Sequence, residues 1–333
     1  MFGCSSLTLQ SKDQKHFFAR TMDFTKTLGN DIVFVPRNYT IVATEKNPQP
    51  TQTTYAMLGM GNTETPMPAL FDGLNEVGLM GAVLYYRDHA RYFDEVEEGK
   101  TAINPLFAIT NILASCKTVD DVVQFFESHT LINEMVSVID FIPPLHFTFS
   151  DRTGESIIIE PNLHGITVHR KTVGVMTNSP NYEWQEKNLW NYVGISPYDV
   201  KGIVMNGVEL KPLSLGTGGL GLPGDFTPPS RFVRVAMVRQ YIEEAQNEDE
   251  AIRNIFHILS LVNVPKGMVI NDEGLVDYTC YTAAMCSESL TYYCHTYEDR
   301  QIAVIKLENE NYDATTLKTY PISTKQSYNM INE

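Results

Sequence analysis

The sequence of 333 residues is poor in basic residues relative to acidic ones. Lys and Arg number 25 against 40 Asp and Glu, which gives a formal net charge of −15. This balance argues against a nucleic-acid-binding protein, because no basic patch is present that could neutralise phosphates. The acidity is spread along the chain, so a solubilising surface is its simplest interpretation.

Long apolar runs are also missing. No stretch of about eighteen apolar residues could form a transmembrane helix. The N-terminal segment MFGCSSLTLQSKDQKHFF lacks both the basic start and the apolar core of a secretory signal. A lipid-attached cysteine would follow such a core, so that interpretation of Cys4 is excluded as well. The sequence therefore predicts a cytoplasmic protein that does not associate with membranes.

Cysteines are few and scattered, with no C-x-x-C pair: Cys4, Cys116, Cys280, Cys286 and Cys294. An odd, dispersed set is typical of reduced thiols, and the eight histidines lack the spacing of a zinc site. Cys116 ends an apolar helical stretch and the last three lie in strand-like sequence. We therefore expect these four to pack in the core, whereas Cys4 is either a packed residue or a nucleophile.

The chain contains strand-like alternation interrupted by pairs of helical segments, without repeats or low-complexity tracts. Four helices are predicted. The first ends at Cys116, the second begins after an N-cap at Thr118, and the last two span about 229–246 and 248–263. Strand runs separated by paired helices favour an α+β layered domain over a parallel βαβ fold. The loop SLGTGGLGLPGDFTPPSR does not open a helix as a dinucleotide-binding loop does, and it lacks the Lys-Ser/Thr ending of a phosphate-binding loop. No nucleotide cofactor is therefore predicted.

The first two strand-like segments, CSSLTLQ and HFFARTMDF, flank the polar SKDQK and predict a hairpin. A turn centred near residue 13 places Cys4 opposite Met22, with Arg20 and Asp23 beside the sulfur. An arginine there favours the thiolate, and a carboxylate could orient an ammonium group. No histidine has a sequence reason to lie near Cys4. Its own α-amine, released by cleavage of the Gly3–Cys4 bond, could then serve as the base.

Several longer motifs run in order along almost the whole chain: GCSSLTL, FARTMDFT, VPRNY, FDGLNEVGLMGAVLYY, GVMTNSPNYEWQ, GGLGLPGDFTPPSRFVR, NVPKGMV and YTAAMCSESLTYYCHTY. In these motifs the chain resembles the penicillin V acylases of the choloylglycine hydrolase family, which also contains the bile salt hydrolases. The resemblance implies the αββα sandwich of N-terminal nucleophile hydrolases, with two antiparallel sheets between helical layers. It also implies that residues 1–3 are a leader removed autocatalytically, and that 4–333 form a single domain.

The same resemblance implies catalytic roles for residues around the N-terminus. Cys4 would be the nucleophile and its amine the base, while Arg20 and Asp23 would position and polarise it. The ordinary alternative for Arg20 and Asp23 is a surface ion pair, and for Cys4 a buried strand position.

Three further residues match the family's motifs. The side chain of Asn178 and the backbone N–H of Tyr85 would stabilise the oxyanion. Arg231 would add a further positive charge near the sulfur. Asn178 could instead be a turn residue before Ser-Pro, and Arg231 a solvated residue at a helix start. No metal or cofactor is implied.

The implied reaction is hydrolysis of a linear amide through a thioester. The bile salt hydrolases usually carry asparagine at the position of Tyr85 and the penicillin V acylases tyrosine, so phenoxyacetyl penicillin is the expected substrate. Conjugated bile salts are the alternative, N-acyl homoserine lactones a more distant one, and a non-catalytic binding scaffold a third. The resemblance also implies a homotetramer assembled through an excursion at about 188–220, which could otherwise be a mobile loop.

Overall fold

The computed structural model describes residues 3–25, 31–137, 139 and 141–332. The strands are β1 (Cys4–Gln10), β2 (His16–Phe24), β3 (Asp31–Val35), β4 (Thr40–Ile41), β5 (Thr51–Gln52), β6 (Met57–Asn62), β7 (Ala69–Asn75), β8 (Met80–Tyr85), β9 (Thr101–Ile103), β10 (His129–Leu131), β11 (Leu145–Ser150), β12 (Ser156–Asn162), β13 (Gly165–His169), β14 (Val175–Met176), β15 (Ile203–Met205), β16 (Val208–Leu210), β17 (Val269–Ile270), β18 (Val276–Cys286), β19 (Thr291–Thr296), β20 (Ala303–Lys306) and β21 (Lys318–Pro321). The α-helices are α1 (Ala108–Ser115), α2 (Val119–Ser128), α3 (Tyr182–Leu189), α4 (Pro228–Tyr241) and α5 (Glu248–Ser260). None of these helices is long and apolar enough to cross a bilayer.

Two antiparallel sheets form the centre of the described structure. One runs in the order β14-β1-β2-β18-β19-β20, with β17 paired to β18, and the other in the order β13-β12-β11-β8-β7-β6-β3-β21. The sheets face each other, since β1 and β2 both contact β8. The predicted hairpin is confirmed in its register, because Cys4 pairs with Met22.

The helices cover the outer faces of both sheets. Helix α1 packs on β7 and β8, and α2 on β11, whereas α4 and α5 pack on β1 of the other sheet. In α5 the apolar residues recur every three or four positions, which gives the helix one buried face: Ala251, Ile252, Ile255, Ile258 and Leu259. The predicted cap at Thr118 is confirmed, because its side chain accepts a hydrogen bond from the Asp121 N–H. The predicted αββα sandwich is thus confirmed.

Helix α4 is shorter than predicted. It ends at Tyr241, after which Ile242 has an extended backbone with ψ of 144°. The chain then runs past the turn of the β1–β2 hairpin, where the Lys12 N–H donates to the Ala245 carbonyl at 2.9 Å. This tertiary hydrogen bond replaces the helical continuation that the sequence pattern favours.

The segment predicted as an excursion, 188–220, forms a small antiparallel hairpin of β15 and β16. Its large apolar side chains are mostly exposed, with Val204 at 71% and Leu215 at 88% of their full exposure. The segment therefore contributes little to the core.

Candidate active site

Cys4 and Arg20 meet on one face of the β1–β2 hairpin. Arg20 pairs with Ser6, and alternate residues of a strand share a face, so Arg20 lies diagonally across from Cys4. Its Nη2 lies 3.0 Å from the Cys4 Sγ, and both side chains are buried. Burial raises the pKa of the Cys4 thiol, and the Arg20 charge acts against this rise.

The guanidinium of Arg20 is held by a carboxylate from the other sheet. Its Nη1 lies 3.2 Å from Asp72 Oδ2 on β7. Asp72 also accepts hydrogen bonds from the hydroxyls of Tyr281 at 2.5 Å and Tyr292 at 2.6 Å. Sequence reasoning missed this support, although an acidic residue in the apolar strand ALFDGLN is a usable signal. Arg20 and Asp23 therefore do not form a surface ion pair, since Arg20 pairs with Asp72 inside the protein.

Asp23 lies three positions after Arg20 on β2, beside Gly3 of the N-terminal segment. Its Oδ1 accepts a hydrogen bond from the Thr279 hydroxyl at 2.6 Å. Its Oδ2 lies 3.8 Å from Arg231 Nη1 and has no hydrogen-bond partner among the described residues. Burial raises the pKa of Asp23 to about 6, against the opposing effects of Arg231 and Thr279. The backbone N–H of Asp23 donates to the Gly3 carbonyl at 2.9 Å.

The side chain of Asn178 bridges Cys4 and Tyr85. Its Oδ1 accepts from the Cys4 N–H at 2.8 Å and from Arg231 Nη2 at 2.6 Å, and its Nδ2 donates to the Tyr85 carbonyl at 2.8 Å. Arg231 also donates to the Cys4 carbonyl at 2.5 Å and to the Ser5 hydroxyl at 2.7 Å. Asn178 is therefore more than a turn residue, and the buried Arg231 is not solvated.

Tyr85 ends β8 and is only partly buried. Its carbonyl oxygen accepts the Asn178 amide, while the expected role of its N–H as an oxyanion donor stays a prediction. Burial raises the pKa of its phenol, and the nearby Arg87 opposes that rise. The Tyr85 ring thus lies at the border between the protein interior and its charged surface.

The structure joins all six predicted residues through direct contacts: Cys4, Arg20, Asp23, Tyr85, Asn178 and Arg231. The remaining four cysteines are buried free thiols, as expected. Within the described residues, no group of three or more His, Cys, Asp or Glu side chains could hold a metal ion. The site can supply a nucleophilic sulfur, a cation beside it, and the Asn178 amide next to the Cys4 nitrogen.

A sandwich of this kind with a cysteine at the start of its first strand defines an N-terminal nucleophile hydrolase. Residues 4–320 match the family model of the linear amide C–N hydrolases, choloylglycine hydrolase family, and the chain belongs to this family. It is 37% identical to a bile salt hydrolase/transferase of Clostridium perfringens, over 99% of this chain and 100% of that protein.

Two more relatives differ in how strongly they resemble this chain. A crystal structure of a mutant conjugated bile acid hydrolase from Clostridium perfringens superposes with a TM-score of 0.91 at 36% identity, over 99% of this chain and 100% of the other. A penicillin V acylase of Pectobacterium atrosepticum is 23% identical over 74% of this chain and 64% of its own length. The expected family is confirmed, but the resemblance is stronger to bile salt hydrolases than to this penicillin V acylase.

Proposed function

We propose that the protein hydrolyses the amide bond of conjugated bile salts, with Cys4 as an N-terminal nucleophile. The observation that carries this proposal is the position of Cys4, with Arg20 Nη2 3.0 Å from its sulfur and Asn178 Oδ1 2.8 Å from its nitrogen. The choice of bile salts rests on the full-length similarity to the bile salt hydrolase/transferase of Clostridium perfringens.

The residues around Cys4 suit each step of such a reaction. The Cys4 α-amine takes the thiol proton, and the thiolate, favoured by Arg20, attacks the substrate carbonyl carbon. The second hydrogen of Asn178 Nδ2 and the Tyr85 N–H stabilise the oxyanion. The amine of the substrate leaves with the proton from the Cys4 ammonium. Water, deprotonated by the same amine, then hydrolyses the thioester and releases the acid.

Removal of residues 1–3 would use the same sulfur without the α-amine, which exists only after the Gly3–Cys4 bond is cut. The Cys4 thiolate attacks the Gly3 carbonyl carbon, whose oxygen accepts the Asp23 N–H at 2.9 Å. The C–N bond of the peptide breaks, the proton lost by the thiol goes to the leaving Cys4 nitrogen, and water hydrolyses the thioester of Gly3, which frees the Cys4 thiol. A side chain at Gly3 would crowd this arrangement, because its Cβ would lie 3.1 Å from both Asp23 Oδ2 and Arg231 Nη2.

Penicillin V is the second candidate substrate, and Tyr85 favours it. The phenol ring can pack against the phenoxyacetyl group, which is worth about 0.5–1.5 kcal/mol beyond simple burial. Such a gain changes a rate constant by roughly tenfold at most, so it can tilt the preference without excluding bile salts.

Side-by-side measurement of kcat/KM on glycocholate, penicillin V and penicillin G tests the proposal. We expect the highest value for glycocholate, a measurable value for penicillin V and a weak one for penicillin G. Tyr85→Asn should raise the ratio of glycocholate to penicillin V, while Tyr241→Asn, at the exposed end of α4, should leave the ratio unchanged. A higher kcat/KM for penicillin V than for glycocholate would contradict the choice of bile salts, and no hydrolysis of any of the three amides would contradict the proposed amide hydrolysis as a whole.

We further propose that the protein is a cytoplasmic homotetramer assembled through the 188–220 segment. Its exposed apolar side chains have few contacts within the chain and would be buried in an assembly. Light scattering at micromolar concentration should give the mass of a tetramer, and Val204→Glu combined with Leu215→Glu should reduce it. A wild-type monomer would contradict the assembly.

A further inference from the structure

A buried carboxylate outside the site described above lies close behind it. Glu160, on β12, is 3% exposed. Its Oε1 accepts a hydrogen bond from the backbone N–H of Tyr182 at 2.7 Å, and its Oε2 accepts one from His169 Nε2 at 3.0 Å. The Nδ1 of His146 lies 3.8 Å from Oε1.

These partners keep the carboxylate ionised. Burial alone would raise the pKa of Glu160, but the two histidine rings and the Tyr182 N–H outweigh it and lower the pKa to about 2. Tyr86 also faces Glu160, and burial together with the carboxylate charge raises the pKa of its phenol. Glu160 is therefore a buried negative centre held by two hydrogen-bond donors, with the His146 ring beside it.

His146, beside Glu160, contacts the neighbours of both proposed oxyanion donors, Asn178 and Tyr85. His146 Nε2 lies 2.9 Å from the Thr177 carbonyl, and because a carbonyl can only accept, this nitrogen carries the hydrogen. Its ring stacks on Tyr86 at a centroid distance of 4.4 Å and an angle of 6°. Thr177 precedes Asn178, and Tyr86 follows Tyr85.

Tyr182 completes the connection from the other side of Asn178. Its N–H, at the first turn of α3, is fixed by Glu160, and Gln185 of the same helix donates to the Asn178 carbonyl at 3.4 Å. The chain is thus held before Asn178 by His146, which lies beside Glu160, and at the Asn178 carbonyl by helix α3, whose first turn Glu160 fixes.

We propose that Glu160 is a positioning residue for amide hydrolysis, which fixes the Asn178 amide and the Tyr85 backbone through His146, Tyr86 and Tyr182. The inference rests on the proposed function, because it assigns Glu160 to the oxyanion side of that reaction. Catalytic hydrogen bonds are sensitive to position, and a displacement of about 1 Å can cost about a hundredfold in rate.

Glu160→Gln is the test variant, because it keeps the side-chain volume but replaces one acceptor oxygen by a donor. We expect kcat for glycocholate to fall at least about tenfold, while KM changes little. Alkylation of Cys4 by iodoacetamide forms no oxyanion, so its rate should stay at the wild-type value. Glu155→Gln, a matched loss of a carboxylate beside the start of β12 that pairs with Arg170, should change neither quantity.

A double mutant shows whether the effect passes through Asn178. In an Asn178→Ala background, Glu160→Gln should cause a smaller loss of kcat than in the wild type, because only the Tyr85 N–H is then left for it to position. An unchanged kcat in Glu160→Gln, an equal loss in both backgrounds, or a parallel loss of alkylation would each overturn the inference.

A second variant guards against misfolding of Glu160→Gln. His146→Phe retains a ring to stack on Tyr86 but removes the donor to the Thr177 carbonyl, and it should show the same loss of kcat at unchanged alkylation. A wild type inactive on both glycocholate and penicillin V would contradict the proposed function. An active wild type with unaffected variants would contradict the role of Glu160 alone.

Discussion

Replacing Arg20 by methionine removes the cation that supports the Cys4 thiolate. Arg20 Nη2 lies 3.0 Å from Sγ, which corresponds to an interaction of about 5 kcal/mol at an effective dielectric constant of ~20. Burial raises the pKa of Cys4 and Arg20 opposes that rise. The pKa of Cys4 should therefore rise further when Arg20 is replaced. Even if relaxation of the site recovers half of the energy, the thiolate fraction falls by roughly a hundredfold.

The assay is the rate of iodoacetamide alkylation of Cys4 as a function of pH, from about pH 6 to 9. Arg20→Met should shift the midpoint of this profile to higher pH, and kcat/KM for glycocholate should fall by a similar factor. Folding of each variant is checked by its urea unfolding curve, because loss of a buried ion-pair partner costs about 3–5 kcal/mol.

Asp72→Asn is the matched control for this experiment. It breaks the same buried ion pair, at 3.2 Å, but leaves the guanidinium in place beside the sulfur. Both variants should lose stability, whereas only Arg20→Met should lose reactivity of Cys4 near neutral pH. A wild-type alkylation profile in Arg20→Met would refute the assigned role of Arg20.

Three other predictions concern the N-terminal segment and the buried thiols. Gly3→Val should slow removal of the leader, because its side chain would meet Asp23 and Arg231, and mass spectrometry would contradict this if cleavage kept its wild-type rate. In a Cys4→Ala background, Asp23→Asn should raise the free energy of unfolding relative to its parent by an amount that grows from pH 3.8, the usual pKa, and reaches on the order of 3 kcal/mol above about pH 6. The sign follows because a raised pKa favours the fold at low pH and that contribution is lost as pH rises through about 6; a difference that is the same in urea unfolding at acidic and neutral pH would contradict it. Cys116→Ala should cost about 1 kcal/mol of stability and keep hydrolysis, whereas Cys4→Ala should abolish hydrolysis and retain the leader, as activity assays and intact mass can show.

The local features of the site could be predicted from the sequence. Alternation in the first two strands and the polar turn between them were enough to place Cys4 opposite Met22 and Arg20 beside it. Short-range pairing in a hairpin follows from turn position, because each residue's partner is fixed by counting back from the turn.

The partners that come from distant strands could not be predicted in this way. Asp72 on β7 and Thr279 on β18 reach the site only after the sheets have formed, and no local pattern gives their register with β2. The bonds of Asn178 to the Cys4 N–H and the Tyr85 carbonyl likewise depend on how separate segments pack. The preference for penicillin V rested on one side chain, Tyr85, whereas substrate choice depends on the whole pocket.

The mass of the active protein tests the central claim most directly. We predict that all active molecules begin at Cys4, and that iodoacetamide adds one group to this N-terminal residue with complete loss of glycocholate hydrolysis. Full activity in molecules that retain Gly3, or in molecules alkylated at Cys4, would contradict the account.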